Sequence, residues 1–131
     1  MWKADAVQIG TAYLRTQEAL TSPIHRAALA SARDDATRLT NLFTGRPARA
    51  LLNRFVAEVG PISSDAPAFP LATGAIVPLR EAAEKRGSGD FSPLWAGEAA
   101  ALAREESAET LTRLLWANAV EIMSRLNLRT D

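Results

Sequence analysis

The sequence predicts a mainly α chain with one or two short strands, and three observations carry that prediction. Alanine and leucine number 42 of the 131 residues against 10 for valine and isoleucine, a balance that favours helix over strand. Glycines and prolines supply stops between stretches whose apolar residues recur at helical spacing. Clear β character is confined to the first segment.

That segment, Ala4-Asp5-Ala6-Val7-Gln8-Ile9-Gly10, is short and β-compatible and runs into Thr11-Ala12-Tyr13-Leu14. It reads as one strand and a loop, because the glycine marks a turn or a close backbone approach. A helix then begins at Ser22-Pro23, with the serine as N-cap and the proline in the first turn. It continues through Ile24, Ala27, Ala28 and Ala32 to the interruption at Asp34-Asp35. Weak alternation over 37–44 gives a short extended piece that stops at Gly45-Arg46-Pro47 and lacks an evident partner.

Over 48–59, Leu51, Leu52, Phe55, Val56 and Val59 fall at helical spacing, with Gly60-Pro61 as the stop. Pro61, Pro67 and Pro70 with Ser63, Ser64 and Asp65 make a turn or surface loop. A helix over 75–86 carries Pro78 in its first turn or at a kink, pairs Glu81 with Lys85, and ends before Gly87. After a restart at 90–93, an alanine-rich helix is expected over 95–105. In the last helix Ser107 is the cap, and Glu109 with Arg113 and Glu121 with Arg125 are i,i+4 pairs. Leu111, Leu114, Leu115, Ile122, Met123 and Leu126 line its apolar side.

Composition bounds the function. Fifteen basic and fifteen acidic side chains cancel, which removes the broad attraction that a nucleic acid or an anionic membrane would exert. Without cysteine there is no disulfide framework, thiolate metal site or cysteine nucleophile, so any redox chemistry must come from a cofactor. The start lacks a basic stretch followed by an apolar one, and no apolar run approaches the roughly 20 residues that span a bilayer, so the cytoplasm is the expected location.

The lone strand is the anomaly. Its N–H and C=O groups need partners, and no other segment clearly offers a matching buried strand. A strand ending in Gly-Thr and leading through a loop to a helix looks like the last βα unit of a (β/α)8 barrel, a fold of roughly 250 residues. Gly10 would let backbone N–H groups approach an anion, and the Thr11 hydroxyl can donate to a phosphate oxygen. Taken alone, the four residues favour the plainer reading, in which Gly10 makes a turn and Thr11 caps it.

Longer stretches add to this. Ala4-Asp5-Ala6-Val7-Gln8-Ile9-Gly10-Thr11-Ala12-Tyr13-Leu14, Phe43-Thr44-Gly45-Arg46-Pro47-Ala48-Arg49 with Asn53-Arg54-Phe55, Ala66-Pro67-Ala68-Phe69-Pro70-Leu71, and Asp90-Phe91-Ser92-Pro93-Leu94-Trp95-Ala96-Gly97 occur in this order. Together they resemble the C-terminal part of the bacterial nitronate monooxygenases, formerly called 2-nitropropane dioxygenases, over nearly the whole chain. The resemblance implies a C-terminal fragment of a (β/α)8 flavoenzyme. Its cofactor would be FMN, and it would oxidise alkyl nitronates such as propionate 3-nitronate with O2 to a carbonyl compound and nitrite. The segment matching Gln8, Ile9, Gly10 and Thr11 contacts FMN near the phosphate in that family, so these four are the expected cofactor residues. Residues 1–35 then hold the last barrel strand, the phosphate loop and the following helix, and 36–131 a mostly helical accessory region.

The match departs from the family pattern at Lys3, usually glycine, and at Glu98, usually glutamine. The family's catalytic histidine and partner phosphate loop precede the matching segment, so Met1-Trp2-Lys3 looks like an internal or mis-assigned start. His25 is not that histidine and is expected to have a surface or packing role. Arg46, Arg49 and Arg54 could hold an anion or could pair locally with carboxylates, the reading favoured here. Trp95, Trp116 and Phe69 are expected to pack rather than stack on a flavin. Neighbouring carboxylates at Asp34-Asp35 and Glu105-Glu106 diverge on a helix, and no metal-ligand spacing occurs. The rival reading is an inactive, stand-alone helical interaction protein or pseudoenzyme fragment. A truncated chain would expose an apolar face that favours self-association.

Overall fold

The computed structural model describes residues 6–127. Helix α1, Pro23–Ala30, starts as its sequence dictates: Ser22 Oγ accepts from the His25 N–H, and proline occupies the first turn, where its missing N–H costs nothing. Strands β1, Thr37–Thr40, and β2, Ala48–Leu51, form an antiparallel pair with Thr37 opposite Leu51. Helix α2 is short, Arg54–Val59, α3 runs Leu71–Glu84, and α4 runs Ala108–Asn127. Two 3-10 turns, Tyr13–Arg15 and Ala100–Leu102, complete the order.

Five expectations need correction. Of the strand expected over 4–10, Ala4 and Asp5 lie outside the described residues, and residues 6–10 carry no regular structure and are exposed. A strand needs a ladder, and the described residues offer this segment none. The extended piece expected over 37–44 shortens to β1, and its partner lies where a helix was expected to begin. Gly45, at φ +83°, turns the chain, and residues 48–51 pair back on β1 instead of coiling. Helix resumes only after Asn53, whose Oδ1 accepts from the Val56 N–H while its Nδ2 donates to the carbonyls of Gly89 and Ser92.

Helix α3 begins four residues earlier than its sequence suggests. Pro78 lies inside it, and its observed ion pair is Arg80 to Glu84 at 2.8 Å rather than Glu81 to Lys85. The alanine-rich stretch 95–105 is not a helix beyond its 3-10 turn. Its start is drawn along β2: Leu51 N–H donates to Leu94 O, Ala96 N–H donates to Arg49 O, and Trp95 bridges Ala50. Backbone pairing there outweighs alanine's helix preference.

β2 divides the core. Ala50 faces Phe43, Val56 and Ile76, while Leu51 faces Leu29, Leu94, Ala96 and Ala100, as strand alternation requires. Phe43 is the hub of the first cluster, with Phe55 at 5.6 Å and Trp95 edge-on at 5.7 Å between ring centroids. The second cluster joins α1 to the Leu94–Ala100 segment and so fixes the loop ahead of α1 against the residues ahead of α4.

Candidate functional site

The loop carrying Gly10 and Thr11 is short on regular structure and long on anchors. Tyr13 N–H donates to Gly10 O at 3.0 Å and Leu14 N–H to Thr11 O at 3.2 Å, winding the chain into its 3-10 turn. Arg26, on α1, then closes over the loop: its guanidinium donates to the carbonyls of Arg15, Thr16 and Ala19 at 2.9, 3.1 and 3.0 Å. Arg15 reaches the other way, to Ala103 O at 2.7 Å. Three backbone acceptors on one planar donor fork leave the loop little freedom.

The far side of the loop is tied to α4. The Glu18 carboxylate accepts from Ala108 N–H, at 3.0 Å to one of its oxygens, and holds an anion where the helix dipole favours it. That bond, with the residue's own backbone N–H, keeps the Glu18 carboxyl below the usual carboxylate range. Ser107 Oγ accepts from Thr110 N–H, which makes Ser107 the cap expected from sequence. Tyr13 and Thr112 hydroxyls meet at 2.8 Å.

Held in this way, Thr11 presents a specific donor. Its Oγ1 accepts from Gly97 N–H at 2.7 Å, so its own proton is directed elsewhere. Gly97 is suited to that approach, since a Cβ there would lie 3.3 Å from Thr11 Oγ1. Gly10 differs: its φ is not positive, and a Cβ would meet nothing within 4 Å. Neither strain nor crowding in the described residues explains that glycine, whereas open space over the backbone suits an approaching ligand.

Gln8, Ile9, Gly10 and Thr11 are contiguous along the wall of a cleft of about 420 Å³, whose other wall is Gly97, Glu98 and the apolar side chains Leu102, Leu111 and Leu115. A second hollow of about 350 Å³ opens from Gly10 and Thr11 toward Arg49 and Trp95. A hollow of about 480 Å³ between the end of α1 and the β hairpin holds none of the expected cofactor residues. The structure therefore gathers the four around one cleft and adds Gly97, which sequence spacing could not place beside Thr11. The run Leu94-Trp95-Ala96-Gly97 was its only signal.

The other candidates separate. Arg46 stacks over Phe69 at 4.4 Å, Arg49 donates to Thr37 Oγ1 at 3.0 Å and sits 3.7 Å from Glu98, and Arg54 pairs with Glu58 at 2.8 Å. The three make separate local contacts, with no shared anion site, and only Arg49 borders a hollow at the loop. His25 is half-buried, and its Nε2–H donates to Trp95 O at 2.9 Å. Burial lowers its pKa, against a smaller upward effect of that hydrogen bond. Trp95 packs as expected, but Trp116 is 70% exposed, because α4 meets the rest of the described chain near its start. The described residues contain no cluster of acidic side chains and histidine fit for a metal, and no helix long and apolar enough to cross a membrane.

A family model described as nitronate monooxygenase matches residues 2–118. The chain is 42% identical over 113 residues to a nitronate monooxygenase of Pseudomonas aeruginosa, covering 86% of this chain and 32% of that one. It is 31% identical over 122 residues to a probable nitronate monooxygenase of Staphylococcus saprophyticus, covering 93% and 34%. A crystal structure of a nitroalkane oxidase from Streptomyces ansochromogenes superposes with a TM-score of 0.82 at 44% identity, covering 94% of this chain and 35% of that one. The chain thus spans about a third of the length of the relatives it matches.

Proposed function

The chain belongs to the nitronate monooxygenase family, and from that premise we propose that it supplies one wall of a flavin site for the oxidation of alkyl nitronates. The observation that carries this reading is the pairing of Gly10 and Thr11: an uncrowded backbone beside a hydroxyl that accepts from Gly97 N–H and keeps its own O–H to donate. In this reading Thr11 would donate a hydrogen bond to a phosphate oxygen of FMN, and Gly10 would keep the approach clear. Gln8 offers an amide to the same side, and Ile9 gives the cleft an apolar shoulder. Bound FMN would supply redox chemistry that a cysteine-free chain lacks.

The substrate class follows the family: a nitronate such as propionate 3-nitronate, with O2 as co-substrate, giving a carbonyl compound and nitrite. This chain's part is to bind and orient. His25 is engaged with a backbone carbonyl in the packing between α1 and Trp95, so it does not serve as a base at the cleft. One phosphate wall leaves most of an FMN molecule in water, so the isolated chain should bind it weakly. Purified chain carrying stoichiometric flavin would contradict that.

The decisive measurement places this chain in the Pseudomonas aeruginosa relative, in exchange for the matching segment, and titrates FMN. Thr11→Val should weaken binding by about 10- to 100-fold, the loss of one hydrogen bond to a charged group. Unchanged FMN affinity in that variant would remove Thr11 from the site.

A further inference from the structure

Two charged side chains stand at the loop without a part in the reading above. Arg49 lines the hollow that opens from Gly10 and Thr11, with Leu14, Trp95 and Gly97, while Glu98 lines the neighbouring cleft. The two spaces share Gly10, Thr11 and Gly97. The charges meet across that boundary, with Arg49 Nη2 3.7 Å from Glu98 Oε1.

Arg49 is held and Glu98 is not. The arginine's carbonyl accepts from Ala96 N–H at 3.2 Å, and its Nη1 donates to the hydroxyl of buried Thr37 at 3.0 Å. Its side chain is 28% exposed against 80% for that of Glu98. At 3.7 Å the pair is beyond hydrogen-bond range, whereas Arg54 with Glu58 and Arg80 with Glu84 close to 2.8 Å. So exposed a pair is screened by water and readily parted. One arm of the guanidinium fork is therefore pinned, and the other has a counter-ion but, among the described residues, no hydrogen-bond acceptor.

A phosphate monoester has the oxygens to meet both donors of the hollow. It can accept from the Thr11 hydroxyl and from Arg49 Nη2 at once, and bonds from a guanidinium to a phosphate are of the stronger, charge-assisted kind. Resting on the flavin reading, we propose that Arg49 is the cation of the phosphate subsite and that Glu98 is its internal competitor. The phosphate takes Arg49 from Glu98, whose exposed side chain turns to solvent. Until it does so, the same carboxylate repels the dianion, so Glu98 lowers the affinity that Arg49 raises.

The test compares FMN with riboflavin, which lacks the phosphate, in the chimaera of this chain with the Pseudomonas aeruginosa relative. Arg49→Gln should weaken FMN binding by about 10- to 100-fold and leave riboflavin unchanged. Arg49→Lys, which keeps the charge but loses the fork, should fall between. Glu98→Gln should tighten FMN by about tenfold, again without effect on riboflavin. Equal losses for both flavins in Arg49→Gln would make the arginine structural and overturn the proposal, as would FMN affinity indifferent to Glu98→Gln. A chimaera that binds FMN through Thr11 but ignores Arg49 overturns this proposal alone, whereas one that binds no FMN removes the flavin reading and the proposal with it. If the chimaera does not fold, the chain alone is titrated with inorganic phosphate, against sodium chloride of equal ionic strength, and followed by NMR. The amides of Gly10, Thr11 and Gly97 and the Arg49 guanidinium should shift with phosphate only, and at lower concentration in Glu98→Gln. Absent shifts, or shifts that Glu98→Gln does not move, overturn the proposal.

Discussion

The interior around β2 and the rim formed by residues 6–12 and α4 are built on opposite terms. In the interior each conformational choice is answered by a neighbour inside the chain. Gly45 is glycine because its φ is +83° and a Cβ would lie 2.4 Å from Phe69 N. At the rim, Gly10 has room for a side chain and none is there, and α4 leaves Trp116, Ile122 and Leu126 in solvent. Gly45 is required by its own fold, whereas neither strain nor crowding in the described residues requires Gly10.

The comparison breaks if the interior is not what holds the fold. Phe43 is 2% exposed and contacts Phe55 and Trp95, so Phe43→Ala should remove about 3–5 kcal/mol, much of an ordinary domain's stability. Denaturant unfolding checks this, with soluble yield as the fallback if the variant does not fold. A loss under about 1 kcal/mol would mean that the aromatic cluster is loosely packed.

The seam between the regions is Arg26. Arg26→Met keeps the length of the side chain but removes all three of its donations to the carbonyls of Arg15, Thr16 and Ala19. Stability should fall by about 2–3 kcal/mol, in line with hydrogen bonds to a charged group. Amides of Gln17 and Ala19 should lose protection ahead of those in β1 and β2. Equal loss everywhere would show that the loop belongs to the core and is not a separately anchored element.

Legibility in the sequence divides along the same seam. The starts of α1 and α4 can be read directly, since Ser22-Pro23 and Ser107 act within one turn and need no distant partner. β2 cannot, because Leu51, Leu52, Phe55, Val56 and Val59 satisfy helical spacing while the pairing of Thr37 with Leu51 and of Leu51 with Leu94 is settled by chain that lies far away. Residues 95–105 mislead for the same reason: alanine content speaks for helix, and the bonds to β2 are invisible in a local window. At the site, Gly10 and Thr11 were legible as a glycine and a hydroxyl in a loop. Their anchors, Gly97, Arg26 and Glu18, were not, since each is an ordinary residue whose partner is a backbone group elsewhere.

A pH series sharpens the contrast at His25. Its pKa is lowered because burial disfavours the charged ring, so the folded state binds fewer protons than the unfolded state between the depressed value and the ordinary imidazole value. Stability is therefore full above the ordinary value and declines as pH falls through it toward the depressed one. His25→Gln, which keeps a donor near Trp95 O but cannot titrate, should flatten that stretch of the profile in thermal melts. An unchanged slope would remove His25 from the pH dependence; Glu84, held below the usual carboxylate range mainly by its hydrogen bond from Arg80, contributes only as pH falls through the ordinary carboxylate value and below.

The smallest effect is expected where the largest apolar side chain is least used. Trp116 is 70% exposed on α4, so Trp116→Ala gives up almost no burial and gains the better helix former. The change in stability should stay within about 0.5 kcal/mol of zero, against the several kcal/mol that an interior aromatic costs. The two variants, Phe43→Ala and Trp116→Ala, thus measure the same chemistry at the two ends of the comparison. If Trp116→Ala costs more than about 1 kcal/mol in the chain alone, this stretch of α4 is covered from within and the contrast with the interior fails.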